Sequence, residues 1–440
     1  MVDKKCLAAL KRGVEYWNKW RRNESYLQLD LRGINLSNET FLGINFDGVN
    51  FAGATLVKCN LCGASLDGAD LTGVNLTEAN LTGASLCGVN LTGAILIRAN
   101  YRGAESVGSN LSLANLTSAD LRVVDFAGSE LSGANFNQAI LNGANFVGAN
   151  LTNASLALAQ LDSANFNDAN LTNANLVGTN LTRAFLERAN FSEANLTRAT
   201  FEKANLTGAD LNESNLTSAD LSQAVLAIAD LTQATLANAN LTQADLIQVN
   251  LTRANLCNAN FSEANLTKAN LIYARAWTTN FDRCILTGAC LKNLQINHRT
   301  SFKKVNCQYL YLEHHQKRRI PEDSQISLSS LEFRSTLQDL IEFIEVTFHE
   351  DLDWKILLRA FEELQKRYRS QEIEIRSVEA KFNHRFLAKI KVSSGSNIEE
   401  IKQYFKHQYN LLSLAINNKL SPRHEVTKLP QEQLNSYEQN

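Results

Sequence analysis

The chain has 440 residues, 44% of them hydrophobic and 20% charged, with a formal net charge of −2. No run of 18 or more apolar residues offers a membrane-spanning helix, and the first ten residues carry Asp3, Lys4 and Lys5 with no apolar signal core. Eight scattered cysteines in such a chain are expected to be reduced thiols, which points to the cytoplasm and away from a disulfide-stapled secreted domain.

In chain order, the first segment is residues 1–24. Leu7, Leu10, Val14 and Trp17 recur at spacings of three and four, with Lys4, Lys5, Lys11 and Arg12 on other faces, so one short amphipathic helix is expected over residues 2–22. Its natural role is a lid on the next segment.

That next segment is periodic. From Leu31 to Leu291 every fifth residue is Leu or Phe except Tyr101, Ser106 and Ala276, giving 53 consecutive pentads, and the residue two before is usually Ala. A period of five fits neither a helix nor a plain strand. Within Ala79, Asn80, Leu81, Thr82 and Gly83, however, Ala and Leu stand two apart and face one way, as in a strand, and the remaining residues must turn a corner. Of 21 glycines, all but Gly13 and Gly395 sit two after the central apolar residue, where a type II turn needs positive φ. The prolines, Pro321, Pro422 and Pro430, all lie outside the array. Units this short bury their apolar faces only against their neighbours, so the array is expected to fold as a solenoid over residues 25–312. Ser106 reads as a local packing defect, and Ala276 as decay near the array's end.

The motif Ala, then Asn or Asp, then Leu or Phe, then two variable residues resembles the pentapeptide-repeat family over roughly 60% of the chain. The segment Lys11–Arg22 resembles the leader of bacterial, especially cyanobacterial, members. The resemblance implies a mainly β fold, a right-handed quadrilateral β-helix with four pentads per coil. Fifty-three pentads then make about 13 coils, on the order of 60 Å at ~4.8 Å per stacked strand.

Beyond the array, Glu313 to Ser330, with His314, His315, Lys317, Arg318, Arg319 and Pro321, reads as a linker over residues 313–330. Leu337, Leu340, Ile341, Ile344 and Phe348 recur at helical spacing, as do Trp354, Leu357, Leu358, Phe361, Leu364 and Tyr368 after Asp351 and Asp353. Two alternating runs, Glu372–Glu379 and Phe386–Val392, suggest a hairpin, and Ser396 with Glu399 a capped third helix. A small α+β domain of order helix, helix, strand, strand, helix is expected over residues 331–418, with a polar tail at 419–440.

Chemistry is sparse. Cys59 and Cys62 spell C-x-x-C without a second pair or a nearby His, and the histidines stand beside no Ser or Cys motif, so no catalytic, cofactor or metal site is expected. The many Asn-Leu-Thr triplets arise from the pentad and not from glycosylation. If four pentads make a coil, equal faces recur every 20 residues, which brings Phe185, Val225, Ile228 and Ile247 onto one side where Asn, Thr or Gly is the rule. That stripe, with Arg183 and Arg188 in the basic group that also holds Arg198 and Lys203, is the candidate protein-binding site. A non-enzymatic scaffold or adaptor is the leading reading, with an unknown protein partner, a possible dimer and no nucleic acid expected. The resemblance brings an alternative: some family members mimic B-form DNA and bind DNA gyrase. The array's net −8, from 13 Lys and Arg against 21 Asp and Glu over residues 31–291, makes no dense acidic stripe. A small enzymatic activity in the C-terminal domain is the third reading.

Overall fold

The computed structural model describes residues 4–23, 29–297, 299–313, 317–339, 343–349, 353–369, 373–381, 385–392 and 398–417. The chain divides into two compact units, residues 1–340 and 341–440.

The first unit is a β-helix whose hydrogen bonds can be traced pentad by pentad. Asp30 bridges Asn50 in parallel, Asn35 bridges Thr55, and the same step of 20 continues without a slip to Arg275 and Gln295. One coil is therefore four pentads, with four turns and four corners. In the pentad Ala79–Gly83 all five N–H groups are satisfied. Asn80 donates to Cys59 O of the preceding coil at 2.9 Å, Leu81 to Asn100 O of the next at 2.7 Å and Gly83 to Arg102 O at 3.0 Å, while Ala79 closes the turn onto Leu76 O at 3.0 Å. The fifth, Thr82, has no backbone acceptor and finds the Asn80 side-chain Oδ1 at 3.2 Å, which also takes the Thr82 hydroxyl at 2.6 Å. A buried or half-buried backbone donor cannot be left without a partner. The Asn-Leu-Thr triplets are thus the array's own turn chemistry, an Asx turn repeated in coil after coil.

Leu and Ala of the pentads fill the interior, Leu81 and Ala79 both at 0% exposure. The apolar columns stack from coil to coil, as in Phe126, Phe146 and Phe166, whose rings succeed one another at 5.5 and 4.5 Å. Ser106 is not a defect. The fully buried Tyr101 hydroxyl lies 2.6 Å from Ser106 Oγ, so the two departures from Leu or Phe form one hydrogen-bonded pair. Ser109 and Ser129 both donate to Ser106 O at 2.6 Å, which makes a polar plug inside an apolar core. Burial raises the Tyr101 phenol above its ordinary range, so the plug is uncharged. At the far end, a one-residue insertion moves the step from 20 to 21: Asn280 bridges Ser301, and Cys290 bridges Tyr311.

Both ends of the β-helix are covered. The expected single N-terminal helix is two, α1 (Lys4–Leu10) and α2 (Val14–Asn23), because Gly13 takes φ of 92° between them. Trp17 of α2 is buried edge-on against Phe46, and its indole N–H donates to Asn45 O at 2.6 Å. Asn18 accepts from Asn45 N at 2.8 Å and donates to Gly43 O at 3.0 Å, so α2 supplies an exposed strand edge with partners that the first coil lacks. At the other end, regular structure occupies part of the stretch expected to be a linker. Leu310–Tyr311 (β1) pairs antiparallel with Arg319–Ile320 (β2), and Phe333 of α3 (Ser330–Asp339) packs edge-on against Phe302. A Ser329–Glu332 capping box starts α3, with Ser329 N donating to Glu332 Oε2 at 2.8 Å. His314 and His315 lie outside the described residues.

The second unit departs from the expected helix-first order. Residues 337–348 are not one helix: α3 ends at Asp339, and Phe343–His349 is a strand, β3. Val346 and Phe348 are buried with Thr347 half-buried between them, a period of two that the apolar spacing of three and four had masked. The sheet runs β3–β5–β4, with β4 (Glu374–Lys381) and β5 (Arg385–Lys391) antiparallel and β5 in the middle. Asp353 caps α4 (Trp354–Arg367), accepting from Lys355 N at 2.8 Å. Leu357, Leu364, Ile390, Ile401 and Phe405 form a core that joins α4 and α5 (Ile398–Asn417) to the sheet. Ser396, the expected cap of the last helix, lies outside the described residues.

Candidate protein-binding surface

Each coil offers its side chains mainly at the corners, so recognition is built there. The expected stripe resolves into separate pieces. Phe185 and Ile228 are exposed, Val225 and Ile247 half-buried. In the strand ladder Asn205 stands between Phe185 and Val225, which breaks the apolar run, while Ile228 N donates to Ile247 O at 2.8 Å and joins Val225, Ile228 and Ile247 locally. Arg188 and Ile228 flank Gly208, each with a carbon 3.7 Å from where a Cβ would stand. Arg188 grips Asp168 with two nitrogens at 2.7 and 2.8 Å, and Arg183 reaches Asp162 at 2.8 Å. The Arg188 hydrogen bond lowers the Asp168 carboxyl, and both carboxylates raise their arginines; with Lys203 3.0 Å from Glu202, three of the four cations of this basic group are paired by its own surface.

A second feature went unread in the sequence. Between residues 33 and 108 all twelve turn positions on three corners are glycine, and none is on the fourth, which carries Asn38, Lys58, Glu78 and Arg98 and continues as Ser118, Gln138 and Leu158. These residues hold φ between 54° and 64°, the same region as Gly33 at 67° or Gly83 at 61°. The turn is the same on all corners and in both halves of the array, although only Gly178, Gly208 and Gly288 follow Gly148 at these positions. A non-glycine residue there costs ~1–2 kcal/mol. Lys58 and Arg98 both reach Glu78, at 3.5 and 2.5 Å, yet these ion pairs are exposed and each is worth only ~0–1 kcal/mol. Up to Gly108 one corner therefore carries a ridge of side chains at its turn positions, and the other three carry none there. The pattern was legible by laying the glycines out with a period of 20.

Among the described residues no three His, Cys, Asp or Glu group as metal ligands, all eight cysteines are free, and burial pushes the Cys59 thiol up to about 12. Likewise, no helix of the described residues is long and apolar enough to cross a membrane.

The family model for pentapeptide repeats matches overlapping stretches across residues 30–104, 119–168 and 169–293, more than half of the chain. The chain belongs to the pentapeptide-repeat family. Membership makes the solenoid a right-handed β-helix. Among solved structures of pentapeptide-repeat proteins, HetL, involved in heterocyst differentiation regulation in the cyanobacterium Nostoc sp. strain PCC 7120, is 22% identical over 66% of this chain and 94% of its own, with a TM-score of 0.19. QnrB1, a plasmid-mediated fluoroquinolone resistance protein, is 17% identical over 49% of this chain and 96% of its own, with a TM-score of 0.22. Rfr23 from the cyanobacterium Cyanothece 51142 is 30% identical over 32% of this chain and 91% of its own, with a TM-score of 0.16. No curated protein matches the chain.

Proposed function

We propose that this pentapeptide-repeat protein is a non-enzymatic cytoplasmic scaffold, a four-sided rod capped at both ends that binds a protein partner along one corner and carries a C-terminal α+β domain. The observation that carries the reading is the ridge from Asn38 to Leu158. Asn38, Lys58, Glu78 and Arg98, held at positive φ on one corner in coils whose other corners are all glycine, accept a backbone cost that their exposed contacts do not offset. A reason outside the fold, a partner, accounts for them. Alternating charge at Lys58, Glu78 and Arg98 with the exposed Leu158 suits a mixed polar and apolar protein surface better than a uniformly charged one.

The test is site-directed photo-crosslinking in the source cell. With the crosslinking residue in place of Glu78 or Gln138, a discrete protein adduct is expected, and with it in place of Gly83 or Gly88 on a bare corner, none. Adducts distributed equally over the two sets would contradict the ridge as the binding site.

A further inference from the structure

The whole-array charge conceals a sharp division along the chain. Residues 31–252 hold nine Lys and Arg against 19 Asp and Glu, while residues 253–319 hold eleven against three, so a rod of net −10 ends in a zone of net +8. The cations of that zone sit on all four corners. Lys303 O accepts from Arg283 N, which stacks Lys303 and Lys304 over Arg283 on the first. Lys268 and Tyr309 flank Gly288 on the second, where Arg319 lies 4.5 Å over the Tyr309 ring. The third holds Arg253 over Tyr273 at 5.9 Å, with Lys292 O accepting from Tyr273 N. On the fourth, Arg275 lies 5.0 Å over Trp277.

We propose that this collar binds single-stranded nucleic acid, its cations holding phosphates and its guanidinium-covered rings offering platforms for bases. The zone's acids do little to neutralise it: Glu263 pairs with Arg283 at 3.1 Å, and Asp282 is occupied by Ser301 and by Lys303 N. Tyr273 is 41% exposed, and Arg275, Lys303 and Lys304 are exposed. Planar side chains interleaved with cations are what sequence-tolerant strand binding requires. A flat bilayer meets at most two adjacent corners of a four-sided coil, whereas a flexible strand can wrap all four, and the acidic coils before residue 253 confine it to the collar. This site is separate from the ridge at Asn38–Leu158.

The experiment is fluorescence anisotropy of a labelled oligo-dT 20-mer with the full chain. At about four phosphate contacts, affinity is expected to fall on the order of 50-fold between about 50 and 200 mM salt. Triple reversal Arg275→Glu, Lys303→Glu and Lys304→Glu abolishes binding, while the charge-matched control Lys11→Glu, Lys19→Glu and Arg102→Glu, at exposed positions outside both the collar and the ridge, loses less than about threefold, both sets checked for fold by circular dichroism. Tyr273→Ala weakens binding without changing the salt slope, and a duplex of equal length binds less well. No binding of oligo-dT, equal loss in the control, or capture by phosphatidylserine vesicles in place of oligo-dT overturns the proposal.

Discussion

Tyr101 and Ser106 show how much a single departure from a repeat can hold. Each read alone is a flaw in an apolar column; together they are a donor and an acceptor 2.6 Å apart in a dry core. Leaving one buried hydroxyl without its partner costs ~1–3 kcal/mol. Ser106→Ala and Tyr101→Phe are each expected to destabilise by about that much, and the double variant by less than their sum, with a coupling of roughly 1 kcal/mol or more from denaturation in urea. Strict additivity would show that the pair does not act as one unit. The repeat itself was fully legible at this scale, since Leu, Ala, Asn and Gly take their places from packing, turn and Asx chemistry that recur every five residues. The pair was not, because five residues apart in the chain does not reveal which way two side chains turn.

At the scale of elements, legibility tracked periodicity. The coils, with 20 residues enforcing each strand's partner, were readable, as were the alternating strands paired as β4 and β5. The segment around Phe343–His349 was misread because its apolar residues satisfy spacings of both two and four, and a strand edge completed by β5 decides between them. The end caps were only half visible: an amphipathic pattern predicts a helix over residues 2–22 but not the break at Gly13, nor the hydrogen bonds from Trp17 and Asn18 to the first coil. Those bonds give the cap a measurable role. Trp17→Ala removes a fully buried ring and is expected to cost ~3–5 kcal/mol locally. Because coils contact only their neighbours, hydrogen exchange should speed at Asn45 and Phe46 and stay unchanged near Leu186. Equal acceleration at both places would mean that the solenoid unfolds as one unit, with no local role for the cap.

Along the array the surface changes character by position. Three bare corners and one furnished corner distinguish the N-terminal coils, and a reversal from net −10 to net +8 distinguishes the last ones. Both patterns lie in the sequence, yet neither appears until residues are laid out in columns of 20, because pentad by pentad they look like tolerated variation. The stripe through Phe185 and Ile228 did appear that way, and the structure divides it at Asn205. The scaffold reading depends most on the claim that the ridge is kept for recognition and not for folding. Its most direct test is the thermal midpoint of the variant Lys58→Gly, Glu78→Gly and Arg98→Gly. Relief of ~1–2 kcal/mol of backbone cost at each position outweighs the added freedom of the unfolded chain and two exposed ion pairs of ~0–1 kcal/mol. The midpoint should stay level or rise while the Gln138 crosslink to the partner disappears; a midpoint several degrees lower with the crosslink intact would assign the ridge to stability.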